Sequence, residues 1–141
     1  MAVIKADKGL QRFHSYALQT EDHTNQDANC VITVPASGNI TTAAYSNQGV
    51  CCLDVNITSA SPNLAVTFEF GTVRDDSQHA TNWIAVAALA QTVTTTGATR
   101  IFLNDKGAFP PVPYFRVKIA NSVAAAATVE LTYSYQIEKG S

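Results

Sequence analysis

Apolar and polar residues alternate along most of this chain with a period of two, the signature of strands that bury one face and wet the other. From Thr128 to Ile137, the apolar set Val129, Leu131, Tyr133, Tyr135 and Ile137 interleaves with Thr128, Glu130, Thr132, Ser134 and Gln136. Phe115, Val117 and Ile119 alternate with Arg116 and Lys118. Leu64, Val66, Phe68 and Phe70 alternate with Ala65, Thr67 and Glu69, and Leu53, Val55 and Ile57 with Cys52, Asp54 and Asn56. Shorter runs predict strands at Phe13–Leu18, Cys30–Val34 and Arg100–Leu103, the last closed by the turn sequence Asn104-Asp105-Lys106-Gly107. Trp83–Leu89 is apolar but rich in Ala, so strand and helix compete there. Pro35, Pro62, Pro110, Pro111 and Pro113 all fall between the strong runs, where no ladder N–H is required. Asn121–Ala127 reads as a loop joining two strands of a hairpin.

Short strands at this spacing predict an all-β fold: an antiparallel β-sandwich, jelly-roll-like, of about eight strands, with an N-terminal arm. The division falls at residue 29. Residues 1–29 form an arm or peripheral segment, because Glu21–Asn29 is polar and has no period, and residues 30–141 form the sandwich. Val3, Ile4, Leu10, Phe13, Tyr16 and Leu18 are too apolar to be left in water. An arm that reaches onto a neighbouring subunit and a frayed terminus both stay open, as does whether the apolar arm residues dock in cis or in trans.

Composition narrows the classes. A chain of 141 residues is one domain's worth and buries a real core. With 46% hydrophobic and 14% charged residues it is not a disordered chain. Its surface is built from Thr, Ser, Asn, Gln and Ala, which suits packing against copies of itself. The net charge is -2 and the basic residues are scattered, so no nucleic-acid partner is expected. No apolar run approaches the ~20 residues that span a bilayer, so no membrane partner is expected. Met1–Leu10 has no apolar signal-peptide region, which places synthesis in a cytoplasm. Three cysteines, Cys30, Cys51 and Cys52, do not make a disulfide framework. Cys51 and Cys52 point to opposite faces of one strand and cannot share a metal. A Cys30–Cys51 bridge stays open if their strands are neighbours.

Candidate chemistry is sparse. His14, His23 and His79 share no metal-ligand spacing, and Asp75-Asp76 lacks the spacing of a calcium loop. Nucleophile-elbow, Walker A, zincin and dinucleotide fingerprints are all missing from the sequence. The expectation is a protein that is not an enzyme, with no catalytic, cofactor-binding or metal residues and no cofactor. The sequons Asn39-Ile40-Thr41 and Asn56-Ile57-Thr58 arise by chance in a Thr-rich chain and have no route to glycosylation without a signal. Trp83 has two readings, a core plug across two sheets or a carbohydrate platform shared with Tyr45, Tyr114, Tyr133 and Tyr135. Tyr133 and Tyr135 lie on the apolar face of Val129 and Leu131, which favours core.

One set of segments carries a family resemblance. Val66-Thr67-Phe68-Glu69-Phe70-Gly71 is followed by Asp75-Asp76, then Asn82-Trp83 and the Thr/Gly-rich stretch Thr92–Gly97. Tyr114-Phe115-Arg116-Val117-Lys118 and Thr128-Val129-Glu130-Leu131-Thr132-Tyr133 come after it. This order resembles that of β-sandwich structural proteins of bacteriophage virions over residues 50–138. The chain departs from the family's S-x-D-G-x-x-W turn, having a longer Arg74–Thr81 loop without Gly. The motifs are structural, so they bear on fold more than on task. The resemblance implies a virion location and a capsid decoration (cement) protein that binds and stabilises the assembled head shell. Its partners would be itself, as a homotrimer, and the phage major capsid protein. The alternative it implies is a carbohydrate-binding or adhesion module of a phage tail or baseplate, with carbohydrate as ligand.

Overall fold

A computed structural model describes residues 11–47, 51–74, 82–102 and 112–138. They form eleven strands in two antiparallel sheets. Sheet I contains β1 (Gln11–Ala17), β2 (Ile32–Val34), β5 (Cys51–Ile57), β9 (Gly97–Phe102) and β11 (Ala127–Glu138). Sheet II contains β3 (Asn39–Thr41), β4 (Tyr45–Ser46), β6 (Leu64–Gly71), β7 (Ile84–Ala85), β8 (Gln91–Val93) and β10 (Tyr114–Asn121).

Two long strands organise the pairing. On one side β11 runs against β5, from Val129 opposite Ile57 to Tyr135 opposite Cys51. On its other side it pairs with β1, from Ala17 opposite Thr132 to Gln11 opposite Glu138, and then with β2. In sheet II, β10 pairs with β6 along its full length and with β3 and β4 on its other side. β7 and β8 share the far side of β6. Thus β1/β2, β3/β4 and β7/β8 are each one interrupted edge, and counting each once gives eight strands in the order of a jelly roll.

The period-two pattern translates directly into the core. Leu53, Val55, Val129, Leu131 and Tyr133 of sheet I meet Leu64, Val66, Phe68, Phe115, Val117 and Ile119 of sheet II, all at 0% exposure. Each such side chain contributes about 1.5–3 kcal/mol relative to an exposed one. The rings of Phe115 and Tyr133 meet across the two layers at 4.6 Å. The connection after β10 is pinned by buried Asn121. Its amide donates to Pro35 O at 3.2 Å and Ala125 O at 2.9 Å, and its Oδ1 accepts Val123 N–H at 3.0 Å.

The edges break where a side chain takes over from the ladder. Between β3 and β4, Thr42 N–H donates to Val117 O at 2.9 Å, while Val117 N–H donates to Thr42 Oγ1 at 3.0 Å. The hydroxyl therefore replaces a backbone carbonyl, and the chain bulges over Thr42–Ala44 without leaving Val117 unpaired. Between β7 and β8, a 3₁₀ turn at Ala87–Leu89 inserts Leu89 into the core. Broken edges of this kind resist pairing with other chains.

Several sequence expectations change. Residues 1–10 of the expected arm lie outside the described residues. From Gln11 onward the segment is part of the sandwich: β1 pairs with β11, and Leu18 is fully buried. The physical reason is the apolar spacing of Tyr16 and Leu18, which matches the inward face of sheet I. β10 and β11 are not a hairpin, since they lie in different sheets and Ser122–Ala126 crosses between layers. Trp83–Leu89 is neither a full strand nor an α-helix but a two-residue strand and a 3₁₀ turn. Cys30 and Cys52 are free thiols, and the side chain of Cys51 lies outside the described residues. Asp75-Asp76, His79 and the Asn104–Gly107 turn also lie outside them.

Candidate functional site

The segment after β1 sets one wall of a cleft. Gln19–Thr20 leaves sheet I and docks beside the β3/β4 break, where Ala43 N–H donates to Gln19 O at 2.8 Å. Tyr45 secures the same point, its hydroxyl oxygen accepting Gln19 N–H at 2.7 Å. Burial pushes the Tyr45 phenol above its ordinary pKa, partly offset by its hydrogen bond to Gln19. A 3₁₀ turn over Glu21–His23 follows, held where Thr20 Oγ1 bonds Gln26 Oε1 at 2.9 Å and the carbonyl of Thr24. Glu21 is thereby carried from a sheet I connection to the outer surface of sheet II.

The opposite wall comes from β10, the end of β6 and the residues before β7. Arg116 and Glu69 face each other across the β10–β6 ladder, with Nε 2.7 Å from Oε1. Their side chains are only 18% and 17% exposed, so the pair is screened less than a surface ion pair. The Arg116 guanidinium lies 4.6 Å over the Trp83 ring, an arrangement favoured by the ring's electron-rich face. Arg74 lies 5.9 Å from the centre of the Tyr114 ring and makes no ion pair among the described residues.

Asn82 fixes Trp83 in place. Its Oδ1 accepts Thr72 N–H at 2.8 Å and Val73 N–H at 3.3 Å, and its Nδ2 donates to Val73 O at 2.7 Å. Gly71 makes room, because a Cβ there would press into Asn82 Nδ2 and stand 3.1 Å from Trp83 Cε3. Trp83 is 8% exposed, and its Nε1–H has no acceptor among the described residues. The expected plug between the sheets is therefore corrected. Trp83 is buried, but against the outer face of sheet II, because Asn82 clips the chain there and Gly71 leaves a flat seat.

Glu21, Thr41, Thr42, Ala44, Arg74, Trp83 and Arg116 together enclose a cleft of about 200 Å³. That is smaller than the 300–1,000 Å³ typical of small-molecule sites and holds about one side chain. Sequence reading singled out Trp83 but not Arg74, Arg116 or Glu21 as its neighbours. The Y-F-R-V-K and V-x-F-E runs did place Arg116 and Glu69 on outward faces.

The other candidates do not converge. His14 stacks on Tyr135 at 5.6 Å, and His23 is exposed with Nδ1 3.4 Å from Gln26 Nε2. Among the described residues, no three His, Cys, Asp or Glu side chains gather to hold a metal. Cys52 lies on the outer face of sheet I, and burial together with Asp54 raises its thiol pKa. Of the tyrosines expected for a platform, Tyr133 is fully buried and Tyr45 and Tyr135 pack against the core, while Tyr114 is half-buried with Arg74 over its ring. No helix among the described residues is long and apolar enough to cross a membrane.

No family model and no curated protein matches the chain. Solved structures with similar chains include a family two carbohydrate esterase from Cellvibrio japonicus, at TM-score 0.48 and 9% identity. That likeness covers 94% of this chain and 37% of the esterase chain. A chain from the structure of infectious bursal disease virus Gx strain has TM-score 0.44 and 10% identity, covering 92% of this chain and 33% of that one. TmCBM61, solved in complex with beta-1,4-galactotriose, has TM-score 0.41 and 10% identity, covering 96% and 94%. The chain thus spans about a third of the esterase and viral chains. Likenesses this distant say nothing about what the chain does.

Proposed function

We propose that this chain is a non-catalytic structural protein of a bacteriophage particle, a capsid decoration protein that binds and stabilises the head shell. The outer face of sheet I is the observation that carries the reading. One row across it runs Ala17, Thr132, Asp54, Arg100, and another runs Ser15, Ser134, Cys52, Phe102. Apart from Asp54, Arg100 and Phe102, the residues of these rows have short, uncharged side chains. The Asp54–Arg100 pair is internally neutralised at 2.7 and 2.9 Å. Such a face loses little on desolvation, which suits contact with another protein subunit. Four strands spaced about 4.8 Å and seven residues at about 3.3 Å give a face of roughly 450 Å². A standard interface takes ~800 Å² from each partner, so flanking loops would complete the contact.

The order of segments shared with virion sandwich proteins supports the same reading. The homotrimer and the major capsid protein are the proposed partners, and the virion is the proposed location. A carbohydrate-binding module needs accessible ring faces, and the packing of Trp83, Tyr133 and Tyr135 favours the structural reading over it.

The test is co-sedimentation of the purified chain with shells assembled from the major capsid protein of the same phage. The wild type is expected to pellet with the shells, and Thr132→Arg, which places a charge in the middle of the face, to stay in the supernatant. A wild-type chain that stays soluble, or that binds a glycan array instead, would overturn the reading.

A further inference from the structure

We infer that the cleft on the outer face of sheet II is a subsite for a single carboxylate side chain, an Asp or Glu presented by an acidic segment of a partner polypeptide. The site is separate from the sheet I face and does not depend on the role proposed for it.

Two observations carry the inference. The first is size: about 200 Å³ accommodates one side chain. The second is charge. Arg116 is already paired with Glu69, and its guanidinium lies over Trp83. Arg74, on the same wall, is exposed and makes no ion pair among the described residues. A guanidinium presents a planar fork of donors matched to a carboxylate, and the Tyr114 ring beneath Arg74 steadies it.

A polypeptide fits better than a sugar. The Trp83 ring face is taken by Arg116, so no face is open for a pyranose to stack on. Glu21 stands on the far wall and opposes an incoming anion. It limits affinity and selects for a carboxylate placed on the Arg74 side.

Trp83 is the single tryptophan of the chain, so its fluorescence reports on the cleft directly. The full chain is titrated with the capped tripeptide Ac-Gly-Glu-Gly-NH₂, with its Gln counterpart, and with glucuronate. The Glu peptide is expected to change the emission saturably in the millimolar range and the Gln peptide to leave it unchanged. Arg74→Ala is expected to weaken the Glu peptide about tenfold, as loss of a charge-assisted hydrogen bond does. Glu21→Gln is expected to strengthen it, and added salt to weaken it. Both substitutions are at exposed positions and leave the core intact. Equal response to Glu and Gln peptides, response to glucuronate alone, no response at all, or wild-type binding by Arg74→Ala would each overturn the inference. None of these outcomes bears on shell binding through sheet I, so the two readings fail separately.

Discussion

Tyr45 shows how one hydroxyl joins two layers. Its ring packs against Tyr16 and Phe115 at 5.4 and 5.9 Å, and its oxygen accepts the N–H of Gln19. In Tyr45→Phe that N–H loses its acceptor, and stability is expected to fall by about 1 kcal/mol at neutral pH. The pH dependence adds a second signature. Burial holds the folded phenol protonated beyond the ordinary value of 10.0, whereas the unfolded tyrosine ionises near it. The unfolded state therefore releases the proton first, and stability declines as pH rises above 10. Urea midpoints measured from neutral to alkaline pH should show a shallower decline in Tyr45→Phe than in the wild type. An unchanged slope would mean that the phenol is not held protonated.

At the scale of elements, the loop closed by Asn82 depends on Gly71 having no side chain. Gly71→Ala is expected to cost about 1–3 kcal/mol through overpacking and to shift Trp83 emission as the ring leaves its seat. A thermal melt and an emission spectrum of the same sample check both halves. This is also the scale at which legibility ended. Period two gave the inward rows of β5, β6, β10 and β11, because a half-buried strand writes its face into the sequence. It did not give partners. β10 and β11 looked like a hairpin because alternation identifies a face but not the neighbour across it. The burial of Trp83 was legible from its apolar surroundings, but its side was not, since that is decided by the hydrogen bonds of Asn82 to a segment ten residues away. The β3/β4 break was invisible for a similar reason. Thr42 reads as an ordinary strand residue until its hydroxyl is seen replacing a carbonyl.

For the whole molecule, the segment first read as an arm is part of the framework from Gln11 onward. A chain beginning at Cys30 loses the seven-residue β1 ladder and the fully buried Leu18. These losses compare with the ~5–15 kcal/mol that holds a domain together, so no cooperative thermal transition is expected from that truncation. A cooperative transition in the chain from Cys30 would show that β1 is dispensable.

The position of β11 inside sheet I carries a consequence for how the protein is born. β1, β2 and β5 all pair with it, yet it is the latest of the eleven strands to leave the ribosome. A nascent chain that has emerged only as far as Asn121 already holds β1, β2 and β5, but the strand that belongs between them is still to come. Sheet II can assemble around β6 and β10 while half of the apolar interior waits uncovered. Folding is thus gated by a late, long-range event, which places it among slow β topologies and makes the interval before β11 arrives the time of greatest exposure to aggregation.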